Sequence, residues 1–132
     1  MNLRVSFLIC QSDNKDEPFI FFKKNDQNKY ELPEFEMPED EFNVDEFVSN
    51  SFKSLTNVLP VNKHGFGWIN IFLSGTIVFN KKYSFVYICK LPEQINIKEY
   101  EKIKMSSILE SNDFDEEYIS QVIYCFNSLY VR

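Results

Sequence analysis

Short apolar runs alternate with polar, turn-forming stretches through the first third of the chain. Leu3 to Cys10 is apolar-rich, Gln11 to Pro18 is polar with the turn formers Ser12, Asp13, Asn14 and Asp16, and Phe19-Ile20-Phe21-Phe22 follows. That pattern predicts a hairpin closed by a long, charged loop. Lys23 to Lys29 reads as a second polar turn, and Tyr30-Glu31-Leu32-Pro33 as a brief extended piece, because the residue before a proline avoids helical geometry. Glu34 to Asn43 reads as a loop, with Pro38 and carboxylates at Glu34, Glu36, Glu39, Asp40 and Glu41. From Val44 the period changes: apolar residues recur at Val44, Phe47, Val48, Phe52 and Leu55, a helical stripe. Asn43 is a suitable N-cap, Asp45 and Glu46 complement the helix dipole, Asn57 can close the helix in the left-handed conformation, and Pro60 stops it.

Three β-branched and aromatic runs come next, Trp68 to Leu73, Thr76 to Phe79 and Tyr83 to Lys90, separated by Ser74-Gly75 and by Asn80-Lys81-Lys82. They predict three further strands. Leu91 to Lys98 reads as a connector, Glu101 to Leu109 carries a mixed strand-to-turn signal, and Asp113 opens a final helix with Tyr118, Ile119, Val122, Ile123, Phe126 and Leu129 on its apolar stripe. No internal repeat or low-complexity linker interrupts the order, so one domain of mixed α and β character over residues 1–132 is expected.

Composition narrows the function classes. The 132 residues suit one domain, and 44% hydrophobic with 17% aromatic residues are ample for a packed core. A formal net charge of −6 argues against broad, non-specific DNA binding, which needs a basic stripe, but leaves room for a local nucleotide or RNA pocket. The three glycines, Gly65, Gly67 and Gly75, form no phosphate-cradling arrangement, which excludes a P-loop and a Rossmann fingerprint. Cys10, Cys89 and Cys125 are odd in number, far apart and each set in an apolar segment, so they read as buried thiols; a catalytic cysteine would need His64, the single histidine, as its base. No apolar run is long enough to span a membrane and the start lacks the features of a signal peptide, so an intracellular location, cytoplasmic or nuclear, is expected. Residues with A/T-rich codons dominate, which accounts for scarce glycine and arginine but not for glutamate, whose codons the same bias tolerates.

The segment Tyr30 to Val58 resembles the Nudix box: Leu32-Pro33 stands at the family's Leu-Pro, Glu34-Phe35 replaces its glycine pair, Asp40-Glu41 falls near Gly-Glu, and Phe47, Phe52, Asn57 and Val58 take the apolar and closing positions of its helix. Asn for the closing glycine is physically conservative, since both tolerate the left-handed region. The same alignment puts Asn50 and Ser51 at the family's Arg-Glu pair and Ser54 and Leu55 at its Glu-Glu pair; Val48 to Asn57 contains no acidic residue in any register. In the family those glutamates converge on divalent cations that bridge a diphosphate. The resemblance therefore implies the fold, an α/β/α sandwich with a mixed sheet between helices, with the catalytic box lost. The run Tyr83-Ser84-Phe85-Val86-Tyr87, then Leu91-Pro92-Glu93, and the closing Phe126-Asn127-Ser128-Leu129-Tyr130 are similar to the Nudix subunit of pre-mRNA cleavage factor I.

On this reading the chain is a catalytically inactive binding module, docking onto a protein or RNA partner in a larger assembly such as a ribonucleoprotein or ribosome. No metal and no cofactor are expected, a retained nucleotide being the one candidate ligand. Tyr30 precedes the Leu-Pro, near where nucleotide- and RNA-binding relatives place an aromatic; Phe35, Phe66 and Trp68 offer further stacking surface; and Lys23, Lys24, Lys81 and Lys82 are the paired basic residues available for phosphate. Each has a plainer reading as core aromatic or solvated turn lysine. The competing function is an active Mg²⁺-dependent hydrolase of nucleoside diphosphate derivatives, with loop carboxylates Glu34, Glu36 and Glu41 relocated as ligands.

Overall fold

The computed structural model describes residues 3–12, 17–41, 43–57, 71–92 and 95–130. Strand β1 (Leu3–Ser12) is the spine. It pairs in parallel with β6 (Lys82–Lys90) from Leu3↔Tyr83 to Cys10↔Lys90, and its other edge is shared: Cys10 to Ser12 pair antiparallel with β2 (Pro18–Lys24), while Arg4 to Ser6 pair antiparallel with β4 (Glu34–Glu36). Between them, Phe7 N–H donates to the Pro33 carbonyl at 2.9 Å. β2 also pairs with β3 (Tyr30–Glu31) and with β7 (Glu101–Lys104), and β6 pairs antiparallel with β5 (Ile71–Phe79). The result is a mixed sheet, of seven strands among the described residues.

Two helices cover its faces. Val5, Phe7 and Ile9 of β1 pack with Val48 and Phe52 of α1 (Val44–Thr56), whereas Leu8 and Cys10 pack with Tyr118, Val122 and Cys125 of α3 (Glu116–Tyr130). Successive side chains of a strand point to opposite faces, so a central strand buried under two helices is apolar on both. α1 begins and ends as its sequence dictates. The Asn43 side chain accepts from Glu46 N–H at 3.0 Å, and Asn57, with φ 63°, returns its N–H to the Lys53 carbonyl at 2.7 Å.

Several boundaries differ from the sequence expectations. Glu34 to Glu36 is a strand, not a loop, because β1 leaves its lower edge unpaired after diverging from β2. Ser74-Gly75 does not separate two strands: Ile71 to Phe79 is one strand whose register shifts between Leu73 and Gly75, a bulge that uses the same residue types as a turn. Lys23 and Lys24 complete β2, and Lys82 opens β6 after a tight Asn80-Lys81 turn in which both residues have positive φ, 52° and 61°. The last helix begins at Glu116, with Asp115 Oδ1 accepting from Glu117 N–H at 3.0 Å, so Asp113 lies before it; the strand-to-turn signal of Glu101 to Leu109 resolves into β7 and the short α2 (Met105–Ile108).

β5 ends the sheet among the described residues. At Val78 its outer backbone is occupied: Val78 N–H donates to Gln121 Oε1 at 2.9 Å, and Gln121 Nε2 donates to the Val78 carbonyl at 3.0 Å.

Candidate binding cleft

Where β1, β2, β3, β4 and β6 come together, a cleft of about 270 Å³ opens, lined among others by Arg4, Lys23, Lys24, Glu31, Glu34 and Lys82. Each side chain is held by strand geometry. Lys23 and Lys24 stand opposite Glu31 and Tyr30 in the β2–β3 ladder, Arg4 opposite Glu36 in the β1–β4 ladder, and Lys82 at the start of β6. The β2–β3 turn is fixed by Asn25, whose Oδ1 accepts from Gln27 and Lys29 N–H at 2.9 and 3.1 Å, with Asn28 at φ 64°. A smaller extension of about 20 Å³ shares Glu31, Glu34 and Lys82 and reaches Ser6, Ser84 and Tyr118. There the two serine hydroxyls hydrogen-bond each other, and Leu32 N–H donates to the Tyr118 hydroxyl at 2.9 Å, tying the Leu-Pro segment to α3. Burial pushes the Tyr118 phenol well above its ordinary pKa, so it enters this network protonated.

Four cationic side chains thus meet two carboxylates in a molecule of net charge −6. Both carboxylates already have donors: Arg4 Nη1 donates to Glu34 Oε1 at 2.7 Å, and Asn25 Nδ2 to Glu31 Oε1 at 2.9 Å. Arg4 also approaches Glu36 at 3.9 Å, yet its Nε is buried with no hydrogen-bond partner. A buried guanidinium N–H without an acceptor is an unfilled donor. Lys23 and Lys24 form loose, exposed ion pairs with Glu99 and Asp113, both at 3.6 Å, which screening makes weak, and Lys82 forms no ion pair among the described residues.

This donor set suits an anion, not a divalent cation. Mg²⁺ needs several convergent oxygens. Among the described residues no group of three or more Asp, Glu, His or Cys side chains lies close enough to hold a metal ion. Glu41, the other loop carboxylate considered as a ligand, accepts from Asn43 N–H at 2.9 Å and so supports the helix start. The described residues therefore do not by themselves fit a divalent-metal centre.

The sequence-derived candidates divide by place. Lys23, Lys24 and Lys82 share the cleft, whereas Lys81 sits exposed in the β5–β6 turn. Tyr30 packs beside it rather than lining it: its ring lies 5.1 Å from Phe114, with Lys24 Nζ 5.1 Å from its centroid, and its hydroxyl donates to Glu101. That bond, with partial burial, holds its pKa up at about 12. Phe35 turns to the α1 side, edge-on to Phe7 at 5.9 Å. Phe66, Trp68 and His64 lie outside the described residues. Arg4 is an addition that sequence reading did not single out; the available signal was a lone charge inside an apolar strand. Cys10, Cys89 and Cys125 are buried free thiols, and burial raises the pKa of Cys10 to about 12 and pushes the other two up as well, so all three are protonated and unreactive.

No helix among the described residues is long and apolar enough to cross a membrane. No family model matches the chain, and no curated protein matches it. Solved structures do. A mutT/nudix family protein from Listeria innocua superposes with a TM-score of 0.74 at 11% identity, over 98% of this chain and 94% of that one. A chain in the complex between the C-terminal domain of mouse MUTYH and human PCNA gives 0.71 at 11% identity, over 99% and 90%. A C. elegans Ap4A hydrolase gives 0.69 at 10% identity, over 99% and 98%. Together with the mixed sheet between α1 and α3, these likenesses show that the chain has the Nudix fold over nearly its whole length.

Proposed function

We propose that this protein is a Nudix-like binding module without hydrolytic activity, whose cationic cleft takes the phosphate of a nucleotide or of an RNA partner within a larger assembly. The observation that carries this reading is the convergence of Arg4, Lys23, Lys24 and Lys82 on one cleft whose carboxylates are already bonded to Arg4 and Asn25. Charge-assisted bonds from Lys23, Lys24 and Lys82 to a phosphate would be the strong contacts in such a cleft, with Arg4 held beside them by Glu34. Loss of hydrolysis follows from chemistry: without several oxygen ligands to hold Mg²⁺ against a diphosphate, the leaving phosphate has no metal to neutralise its charge. A docking role accords with the MUTYH C-terminal domain, a chain of this fold solved in complex with a protein partner.

The test is calorimetric titration with ADP and with a short single-stranded RNA, beside a Mg²⁺-dependent phosphate-release assay over nucleoside diphosphate derivatives. One of the two ligands should bind, and Lys82→Glu should weaken it by at least about tenfold, a charged hydrogen bond being worth ~1.5–3 kcal/mol. Robust turnover abolished by Glu34→Gln would sink the inactive reading and favour the hydrolase.

A further inference from the structure

A second cavity has the opposite charge. Between α2 with the turn that follows it and the first turns of α3, a groove of about 330 Å³ has Ile108, Phe114, Ile119 and Ile123 among its walls. Ile108, Phe114 and Ile119 are its buried floor, while Leu109, 76% exposed, and the half-buried Ile123 leave apolar surface open at the groove. The polar lining includes Glu110, Asn112 and Glu116, and the one cation against it, Lys29, donates to the Asn112 carbonyl at 2.7 Å. Glu110 and Glu116 are exposed, and neither forms an ion pair among the described residues.

We propose that this groove docks a short segment of a protein partner that inserts an apolar side chain flanked by lysine or arginine. Leu109 and Ile123 supply the apolar surface that a central anchor would cover, and the two carboxylates at the rim select the flanking charge and speed encounter. The same carboxylates disfavour RNA phosphate, so this surface and the cationic cleft call for different ligands. The cavity is near the lower bound of ligand pockets, roughly 300–1,000 Å³, which suits one or two anchoring side chains rather than a wrapped chain.

The experiment uses the full chain and a fluorescein-labelled twelve-residue peptide carrying two leucines at helical spacing among lysines and arginines, read by anisotropy. Binding should be salt-sensitive, lost when the peptide leucines become serine, and weakened at least about tenfold by Glu110→Lys with Glu116→Lys. The charge-matched control, Glu39→Lys with Asp40→Lys on exposed residues outside the groove, should leave it unchanged. Leu109→Ser, at an exposed position, should weaken it without altering the circular dichroism spectrum. The proposal is overturned by absence of binding up to about 1 mM peptide. Equal loss in the charge-matched control overturns it too, as does concentration-dependent self-association that the groove variant alone abolishes, which would make the occupant a second copy.

Discussion

Along β1 the two faces of one strand have different fates. Val5, Phe7 and Ile9, under α1, are all fully buried and apolar. On the α3 side the strand changes character along its length, from half-buried Arg4 and buried Ser6 to buried Leu8 and Cys10. The first face is closed core from Val5 to Ile9, and the second opens into the cleft where its residues turn polar. Because the side-chain period is two, the strand keeps a firm register through one face while the other is free to carry a site.

The sharpest way to break that comparison is to cut into the closed face. Phe7→Ala removes a ring with no exposed surface that contacts Phe35 and Phe52, and should cost about 3–5 kcal/mol in denaturant unfolding. A much smaller loss would mean that the α1 side can collapse around the cavity. On the graded face Tyr118→Phe should cost less, about 1–3 kcal/mol, because it leaves the buried Leu32 N–H without its acceptor while keeping the ring. Equal stability of Tyr118→Phe and wild type would show that water replaces the phenol there.

The smallest effect lies at Tyr30, beside the cleft. Its hydroxyl donates to Glu101, so its pKa stands at about 12 against an ordinary 10.0. The folded chain therefore keeps this proton after the unfolded chain has released it. The resulting stabilisation is fully present below about pH 10 and is lost as pH rises towards 12. Unfolding followed across that window should show wild type declining more steeply than Tyr30→Phe, by less than one proton's worth of slope. Parallel profiles would show that Glu101 does not hold the hydroxyl.

What was legible in the sequence depended on how local its cause is. Asn43 and Asn57 could be read as caps because a cap bonds within three or four residues of itself. The strand at Glu34-Phe35-Glu36 could not, since its alternating carboxylates have no β-propensity and it exists through pairing with Arg4 to Ser6, about thirty residues away. Ser74-Gly75 misled because a bulge and a turn ask for the same side chains. Among the lysines, pairing in sequence brought the right segments forward, but only the ladders could tell Lys82, anchored in β6, from Lys81 in the turn. For Arg4 the local sign was a lone charge inside an apolar strand, but its partner Glu34 comes only through the β1–β4 pairing.

The amide of Gln121 makes at Val78 the two hydrogen bonds that the backbone of another strand would make there. It works as a stopper: the last apolar strand of the described sheet meets, near the C-terminal end of its open side, a side chain from its own C-terminal helix instead of a neighbour's backbone. Any chain adding to β5 at that point must first pull this amide away and then match both of its bonds, so strand addition there gains nothing in hydrogen bonding.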